Sequence, residues 1–208
     1  MSLPQHSLLI LAGGRSSRMG RDKAAIPFPG PDDPPMIHQV HRRLSAEARE
    51  CLVAGPSAYG LPARAVADHP AFAGPLAGLL GGLAECSSEL ALVVAADLPC
   101  PEPRLAAHLL ELAAAEPEVD AVVPATSRGL EPMFAVYRPR SLPLLAAAGR
   151  RGFSRGPSMR EALGLIRVKE VPEADWRRLD PLGASFTDCD TPKELAVAVG
   201  LAAGRREE

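Results

Sequence analysis

The chain is poor in aromatic residues, in long hydrophobic runs and in net charge. Only 4% of its 208 residues are Phe, Trp or Tyr, and the formal net charge is −2. Its longest apolar stretches, such as residues 90–96, are far shorter than the roughly 18 residues that a membrane-spanning helix needs. The balanced charge argues against the broad basic surface typical of nucleic-acid-binding proteins. We therefore expect a globular protein that binds neither nucleic acid nor membrane.

Cysteine is also scarce, and its spacing carries no motif. The four cysteines never form a C-x-x-C pair, so neither a structural zinc site nor a thioredoxin-like site is expected. The first six residues hold no basic segment, and the apolar run at residues 8–12 is too short for a secretory signal. We therefore expect a cytoplasmic protein whose thiols act as small apolar side chains.

Short apolar runs alternate with helical segments along the whole chain. Strands are predicted at residues 7–11, 51–54, 63–67, 90–96, 120–123, 133–137, 165–168 and 185–187. Helices are predicted at residues 36–49, 76–86, 101–116, 142–148 and 158–163, and after an N-cap at Thr191. This alternation predicts one α/β domain over residues 1–208, a Rossmann-like three-layer α/β/α sandwich with a mostly parallel central sheet.

A glycine-rich segment follows the first strand. Residues 11–23 read LAGGRSSRMGRDK, in which Gly13 and Gly14 allow the backbone to approach a ligand closely. Four cations follow within nine residues, at Arg15, Arg18, Arg21 and Lys23. Backbone N–H groups flanked by cations predict a polyphosphate site, although the spacing is not that of a Walker A loop. A strand-to-helix turn with a solvated basic face is the alternative.

Acidic residues follow two other predicted strands, and ligands bind at the carboxyl ends of strands in sheets of this kind. Asp97 comes directly after the strand at 90–96, where a carboxylate could hold Mg²⁺ against phosphates. Asp68 follows the strand at 63–67. The alternatives are a turn residue for Asp68 and a turn or helix cap for Asp97.

The segment at 11–23 resembles the signature of the nucleotidyltransferases that build molybdenum cofactor dinucleotides, and most closely their guanylyltransferase family. Similar motifs follow in order within residues 7–197: GPLAG at 74–78, DLP at 97–99, EPMFAVY at 131–137 and FTDCDTPKEL at 186–195. The resemblance implies a nucleotide-diphospho-sugar transferase-like fold. It also implies transfer of GMP from GTP to the phosphate of molybdopterin, with release of pyrophosphate.

The resemblance further implies roles for individual residues. Lys23, Arg18 and Asp97 are the expected catalytic residues. Nucleotide binding is expected from Leu11, Ala12, Gly13, Gly14, Arg15, Lys23, Asp68, Gly78 and Asp97. Asp97 and Asp190 are the expected ligands of the cofactor Mg²⁺, although Asp190 and Thr191 could instead cap the last helix. Acceptor binding is expected from Arg150, Arg151 and Arg155, whose alternative is a solvated loop.

Residues 1–100 would thus form the nucleotide-binding half and residues 101–200 the acceptor-binding half. Cofactor-delivery proteins and molybdoenzyme chaperones are further partners that the resemblance implies.

The chain departs from the family pattern at three positions. Ala54 stands where the family usually has Asn, and Asp188 and Asp190 replace two asparagines of its closing motif. A sister nucleotidyltransferase that uses CTP or another phosphorylated acceptor therefore stays open. A non-catalytic nucleotide-binding scaffold is the alternative outside the enzymes.

Overall fold

The computed structural model describes residues 3–13, 22–148 and 157–204. The strands in these residues are β1 Ser7–Leu11, β2 Glu50–Ala54, β3 Arg64–Val66, β4 Ala91–Ala95, β5 Ala121–Thr126, β6 Gly129–Leu130, β7 Phe134–Tyr137 and β8 Val168–Val171. The α-helices are α1 Met36–Leu44, α2 Pro75–Glu85, α3 Pro103–Ala115, α4 Leu142–Ala146, α5 Met159–Leu163, α6 Glu173–Trp176 and α7 Pro192–Gly204. No helix in the described ranges is long and apolar enough to cross a membrane.

The strands form one mixed, mostly parallel sheet, which confirms the predicted fold class. Its order is β3-β2-β1-β4-β7-β5-β6, and β8 pairs with β5 off this path. The pairs β1–β2, β1–β4, β2–β3 and β5–β8 are parallel. Strand β7 runs antiparallel to both β4 and β5. The sheet therefore continues from the first half of the chain into the second.

The central strands are buried on both faces because helices cover both sides of the sheet. Every residue of β1 and β4 is buried. Leu8 and Ile10 of β1 pack in a cluster with residues of α1 and α3, whereas Leu9 and Leu11 pack in a second cluster with residues of α2. This alternation follows from the two-residue period of a strand and produces the three predicted layers.

Two predicted strands are wrong in type or position. Of residues 185–187, predicted as a strand, the first two belong to a 3-10 helix at Ala184–Phe186 and Thr187 is its C-cap. The cause is the buried carboxylate of Asp180, which accepts from the backbone N–H groups of Ala184 at 3.2 Å and Ser185 at 2.8 Å. The strand predicted at 165–168 begins at its last residue, where Val168 pairs with Ala121 of β5.

Helix α1 ends earlier than predicted, at Leu44 rather than at residue 49.

Helix α2 lies unusually close to the sheet. In α2, a Cβ added to Gly81 would lie 2.1 Å from the backbone oxygen of Ala67, and one added to Gly82 would lie 2.3 Å from a methyl carbon of Leu9. Only glycine fits beside Ala67, which follows β3. One turn earlier, a Cβ added to Gly78 would lie 3.4 Å from Ala54 of β2 and 3.5 Å from Leu11 of β1, so α2 also runs beside the carboxyl ends of these strands.

We expect Gly81→Ala to lower the free energy of unfolding by about 1–3 kcal/mol, because the added methyl group meets backbone that must shift. The matched control is Gly200→Ala in α7, where an added Cβ meets nothing within 4 Å. That control should leave stability unchanged or raise it by up to about 1 kcal/mol. Urea denaturation followed by circular dichroism measures both, and equal effects of the two substitutions would contradict the close packing of α2.

Candidate active site

The candidate site lies where the parallel strands β1, β2 and β4 end side by side. Hydrogen bonding continues past the strand ends: Ala12 N donates to Ala54 O at 2.8 Å, and Ala96 N donates to Leu11 O at 2.9 Å. The residues that follow β1 and β4 are therefore adjacent. The sequence places Ala12 and Gly13 after β1 and Asp97 after β4, so backbone N–H groups and a carboxylate share one edge.

An open cleft lies at this edge. It is lined by Leu11, Ala12, Gly13, Asp22, Lys23, Ala24, Pro75, Ala95, Ala96, Asp97 and Met133. Leu11, Ala12, Gly13, Lys23 and Asp97 were predicted as site residues, and the other six were not. Of those six, Pro75 is placed here by the start of α2, and Met133 by its backbone oxygen, which accepts from Ala95 N at 2.9 Å.

One lysine and two carboxylates form the charged centre of the cleft. Lys23 Nζ donates to Asp190 Oδ1 and lies 3.6 Å from Asp97 Oδ2. A backbone hydrogen bond of 3.1 Å from Cys189 N to Asp97 O holds the segment before α7 against the end of β4. We call Lys23, Asp97 and Asp190 the Lys23 cluster. It joins three regions that are far apart in the sequence.

Burial and neighbouring charges shift the pKa values of this cluster. Burial raises the pKa of Asp97, and the negative charge of Asp190 adds to the effect, while Lys23 opposes both. Burial disfavours the charged form of Lys23, but its hydrogen bond to Asp190 and its attraction to both carboxylates outweigh this and raise its pKa. Lys23 therefore stays a cation at neutral pH.

A further carboxylate lies near the cluster. Burial and the negative charges of Glu194, Asp190 and Asp97 raise the pKa of Asp188. Arg128 opposes this shift. Among the described residues of this region, the carboxylates of Asp97, Asp188 and Asp190 outnumber these two cations, which would favour an additional cation. In the part of the chain that the structure describes, no three His, Cys, Asp or Glu side chains form a metal-binding group.

The carboxylate of Asp68, which follows β3, lies beside Gly13 of the cleft lining but does not itself line the cleft. A Cβ added to Gly13 would lie 3.1 Å and 3.2 Å from its carboxylate oxygens, and one added to Gly78 would lie 3.4 Å from the nearer oxygen. Burial raises the pKa of Asp68. Ala54, where the family usually has Asn, is fully buried beside Gly78 and offers no polar side chain here.

The structure answers two alternatives left open by the sequence. The N-cap of α3 is Glu102, whose side chain accepts from Arg104 N, so Asp97 is not the helix cap. The start of α7 is capped by Thr191 Oγ1, which accepts from Glu194 N at 3.3 Å, while the Asp190 carboxylate accepts from Lys23. Asp97 therefore lines the cleft from the turn after β4, and Asp190 contacts Lys23 beside it.

Six predicted site residues lie outside the described residues. They are Gly14, Arg15, Arg18, Arg150, Arg151 and Arg155. Their roles stay predictions.

Two solved structures of the same architecture are named for nucleotide-related functions. The chain superposes on molybdopterin-guanine dinucleotide biosynthesis protein A from Archaeoglobus fulgidus with a TM-score of 0.79 and 22% identity, covering 95% of this chain and 99% of that one. For 2-C-methyl-D-erythritol 4-phosphate cytidylyltransferase from Thermus thermophilus the TM-score is 0.67 at 21% identity, covering 98% and 100%. At such identities these likenesses show the fold alone, which is that of the nucleotide-diphospho-sugar transferase class.

Sequence comparison defines the family. Residues 8–166 match the family model described as the MobA-like NTP transferase domain. A probable molybdenum cofactor guanylyltransferase of Chloroflexus aggregans is 35% identical over 205 residues, covering 93% of this chain and 94% of the relative. A molybdenum cofactor guanylyltransferase of Pseudomonas putida is 36% identical over 185 residues, covering 85% and 92%. The chain is an enzyme, a nucleotidyltransferase, and it belongs to the MobA-like NTP transferase family.

We expect Gly13→Ala to weaken nucleotide binding about tenfold or more, because the added methyl group crowds Asp68 and blocks close approach of the ligand to the backbone. Gly30→Ala is the matched control: its Cβ would also lie 3.1 Å from an aspartate oxygen, that of Asp33, but outside the cleft lining. Calorimetric titration with GTP and Mg²⁺ measures both. Equal affinities for Gly13→Ala and wild type would place the nucleotide elsewhere.

Proposed function

We propose that the protein transfers GMP from GTP to the phosphate of molybdopterin and releases pyrophosphate. The observation that carries the proposal is the Lys23 cluster, a lysine held between two carboxylates at the carboxyl edge of the sheet. Membership of the MobA-like family supports the class of reaction. The names of the guanylyltransferase relatives support GTP as donor and molybdopterin as acceptor.

The proposed reaction brings two anions together. An oxygen of the molybdopterin phosphate attacks the α-phosphorus of GTP and forms a new P–O bond. The bond from the α-phosphorus to the oxygen that bridges the β-phosphorus breaks, and its electron pair leaves with pyrophosphate. Because the nucleophile is already an anion, no general base is needed. The barrier therefore lies in charge repulsion and alignment, which cations and backbone N–H groups can reduce.

Lys23 supplies the positive charge that this reaction needs. Its raised pKa keeps the ammonium group protonated, and its position in the cleft lining lets it turn from the carboxylates to a triphosphate. It would offset the negative charge that develops on the leaving pyrophosphate. Arg18 and Arg15, which lie outside the described residues, are proposed to assist Lys23 in this role.

The residues present fit a divalent cation. Asp97 and Asp190 both approach the ammonium group of Lys23, so the two carboxylates already share one positive charge. Mg²⁺ is commonly held by one or two carboxylates together with substrate phosphates, and no larger protein ligand set is required. Asp97 and Asp190 would hold Mg²⁺, which when bound offsets negative charge on phosphate oxygens.

The two halves of the chain are proposed to divide the substrates. Residues 1–100 carry Gly13, Asp68 and Gly78, which would surround the nucleotide. Residues 101–200 would bind molybdopterin, with Arg150, Arg151 and Arg155 as its proposed phosphate partners. Proteins that deliver or receive the cofactor are the further partners that this reaction implies.

We expect Lys23→Ala to lower the turnover rate at least about 100-fold, because the charge on the triphosphate is no longer offset. Lys169→Ala is the matched control, since Lys169 also forms an ion pair, with Glu116 at 2.5 Å, and lies outside the cleft lining. Pyrophosphate release from GTP, Mg²⁺ and molybdopterin measures the rate, and circular dichroism verifies the fold. Near-normal turnover by Lys23→Ala would overturn its assigned role.

We expect the wild-type enzyme to prefer GTP over CTP and ATP. The measurement is mass spectrometry of the dinucleotide formed when each nucleotide is offered with Mg²⁺ and molybdopterin. A cytidine product in preference to the guanine one would assign the chain to a sister nucleotidyltransferase, for which the buried Ala54 is the supporting observation. Absence of pyrophosphate with every nucleotide would contradict the proposed reaction.

A further inference from the structure

Lys23 lies on a short structural element that needs support from its surroundings. It begins a 3-10 helix of three residues, Lys23–Ala25, rather than a strand or a long helix. The far end of this turn is fixed by the backbone, because Met36 N donates to Ile26 O at 2.7 Å. At the near end, Asp22 accepts twice: its backbone oxygen from Ala25 N at 3.2 Å and its side-chain Oδ1 from Ala24 N at 3.1 Å. The direction in which Lys23 leaves the backbone therefore depends in part on the carboxylate of Asp22.

That carboxylate is itself held by Tyr59. The phenol Oη of Tyr59 donates to Asp22 Oδ2 at 2.6 Å, so one oxygen of Asp22 caps the turn while the other binds the phenol. Tyr59 comes from the connection between β2 and β3, which is distant in the sequence. Burial and this hydrogen bond raise the pKa of Tyr59, so the phenol stays protonated and remains a donor.

Tyr59 is in turn fixed from the opposite side. Its φ is 52°, in the left-handed region that a bulky side chain rarely adopts. The ring Nε2 of His38, on α1, donates to the carbonyl oxygen of Tyr59 at 2.8 Å. The side chain also packs against the core cluster on the α1 face of the sheet. An unfavourable backbone conformation held by surrounding contacts is a feature that recurs at functional sites.

We infer that Tyr59 is a positioning residue of the reaction, which orients Lys23 toward the nucleotide phosphates through the carboxylate of Asp22. The chain of contacts runs from α1 through His38, Tyr59 and Asp22 to the turn that carries Lys23. The inference rests on the proposed function for the role of Lys23. None of these contacts requires Tyr59 itself to touch substrate.

The test is Tyr59→Phe, which removes the hydroxyl group and keeps the ring. We expect kcat to fall about tenfold, because small misplacement of a catalytic cation costs transition-state stabilisation. The Kd for GTP should change less than about threefold, since a flexible lysine can still reach a bound triphosphate. The thermal midpoint should stay within about 2 °C of wild type. A kcat within twofold of wild type would overturn the inference, as would a loss that appears only in Kd.

A second variant shows whether Tyr59 acts through Asp22. Asp22→Ser keeps a side-chain oxygen that can accept from Ala24 N but lacks the second oxygen that accepts from the phenol. If Tyr59 acts only through Asp22, adding Tyr59→Phe to this variant should not lower kcat further, whereas independent roles would make the two losses multiply. Asp33→Ser is the matched control, because Asp33 also accepts from a nearby backbone N–H, that of Gly30 at 3.0 Å, outside the cleft lining. Its kcat should equal that of wild type.

Two results keep this inference separable from the proposed function. If Lys23→Ala is inactive while Tyr59→Phe is fully active, only the positioning role fails. If Lys23→Ala is active, the role proposed for Lys23 is wrong, and the positioning role of Tyr59 loses its basis with it. Amide hydrogen exchange supplies a readout without turnover: the N–H of Ala24 should exchange about threefold faster or more in Tyr59→Phe, because its acceptor is no longer held. Unchanged exchange at Ala24 would contradict the inference even in an inactive protein.

Discussion

The parallel pairing of β1 between β2 and β4 is the constraint on which the site depends. Parallel strands end at the same edge, and here the hydrogen bonding extends one residue past the strand ends, from Ala12 to Ala54 and from Ala96 to Leu11. Burial on both faces fixes the register, because a shift by one residue would turn β1 side chains to the opposite layer. The close packing of α2, which Gly81 permits, brings a third element to the same edge. Backbone N–H groups, the Asp97 carboxylate and a helix start thus meet at this edge, and the long-range contacts of Lys23 and Cys189 add Asp190 to it.

The electrostatics of the site follow from this placement. Burial disfavours a charged carboxylate at Asp97, and the nearby Asp190 adds repulsion, so the pair depends on a cation between them. Lys23 supplies that cation here. A polyphosphate would compete for the same ammonium group, and a divalent ion would compete for the same carboxylates. We propose that the cluster exchanges its internal ion pairs for substrate contacts, as transfer between two anions would require.

Much of the fold follows from sequence patterns, and much of the site does not. The buried runs of β1 and β4 and the cap at Thr191 are local signals, and the structure confirms them. The strand predicted at 185–187 is wrong because the hydrogen bond from Ser185 N to the Asp180 carboxylate bends this segment, and that contact depends on tertiary placement. Pairing of Lys23 with Asp190 joins residues whose proximity no local pattern encodes. The hydrogen bond from Tyr59 to Asp22 could not be predicted for the same reason, since an isolated tyrosine in a loop carries no signal of what it binds.

The central claim is that the carboxylates of the Lys23 cluster hold Mg²⁺ while Lys23 turns to the triphosphate. The most direct measurement is calorimetric titration of the wild-type protein with GTP, once with Mg²⁺ and once with EDTA. The account predicts that Mg²⁺ strengthens GTP binding about tenfold or more, because Asp97 and Asp190 would hold the cation and it would offset charge on the phosphates. Equal affinity under both conditions would contradict it, since GTP would then bind without involving those carboxylates.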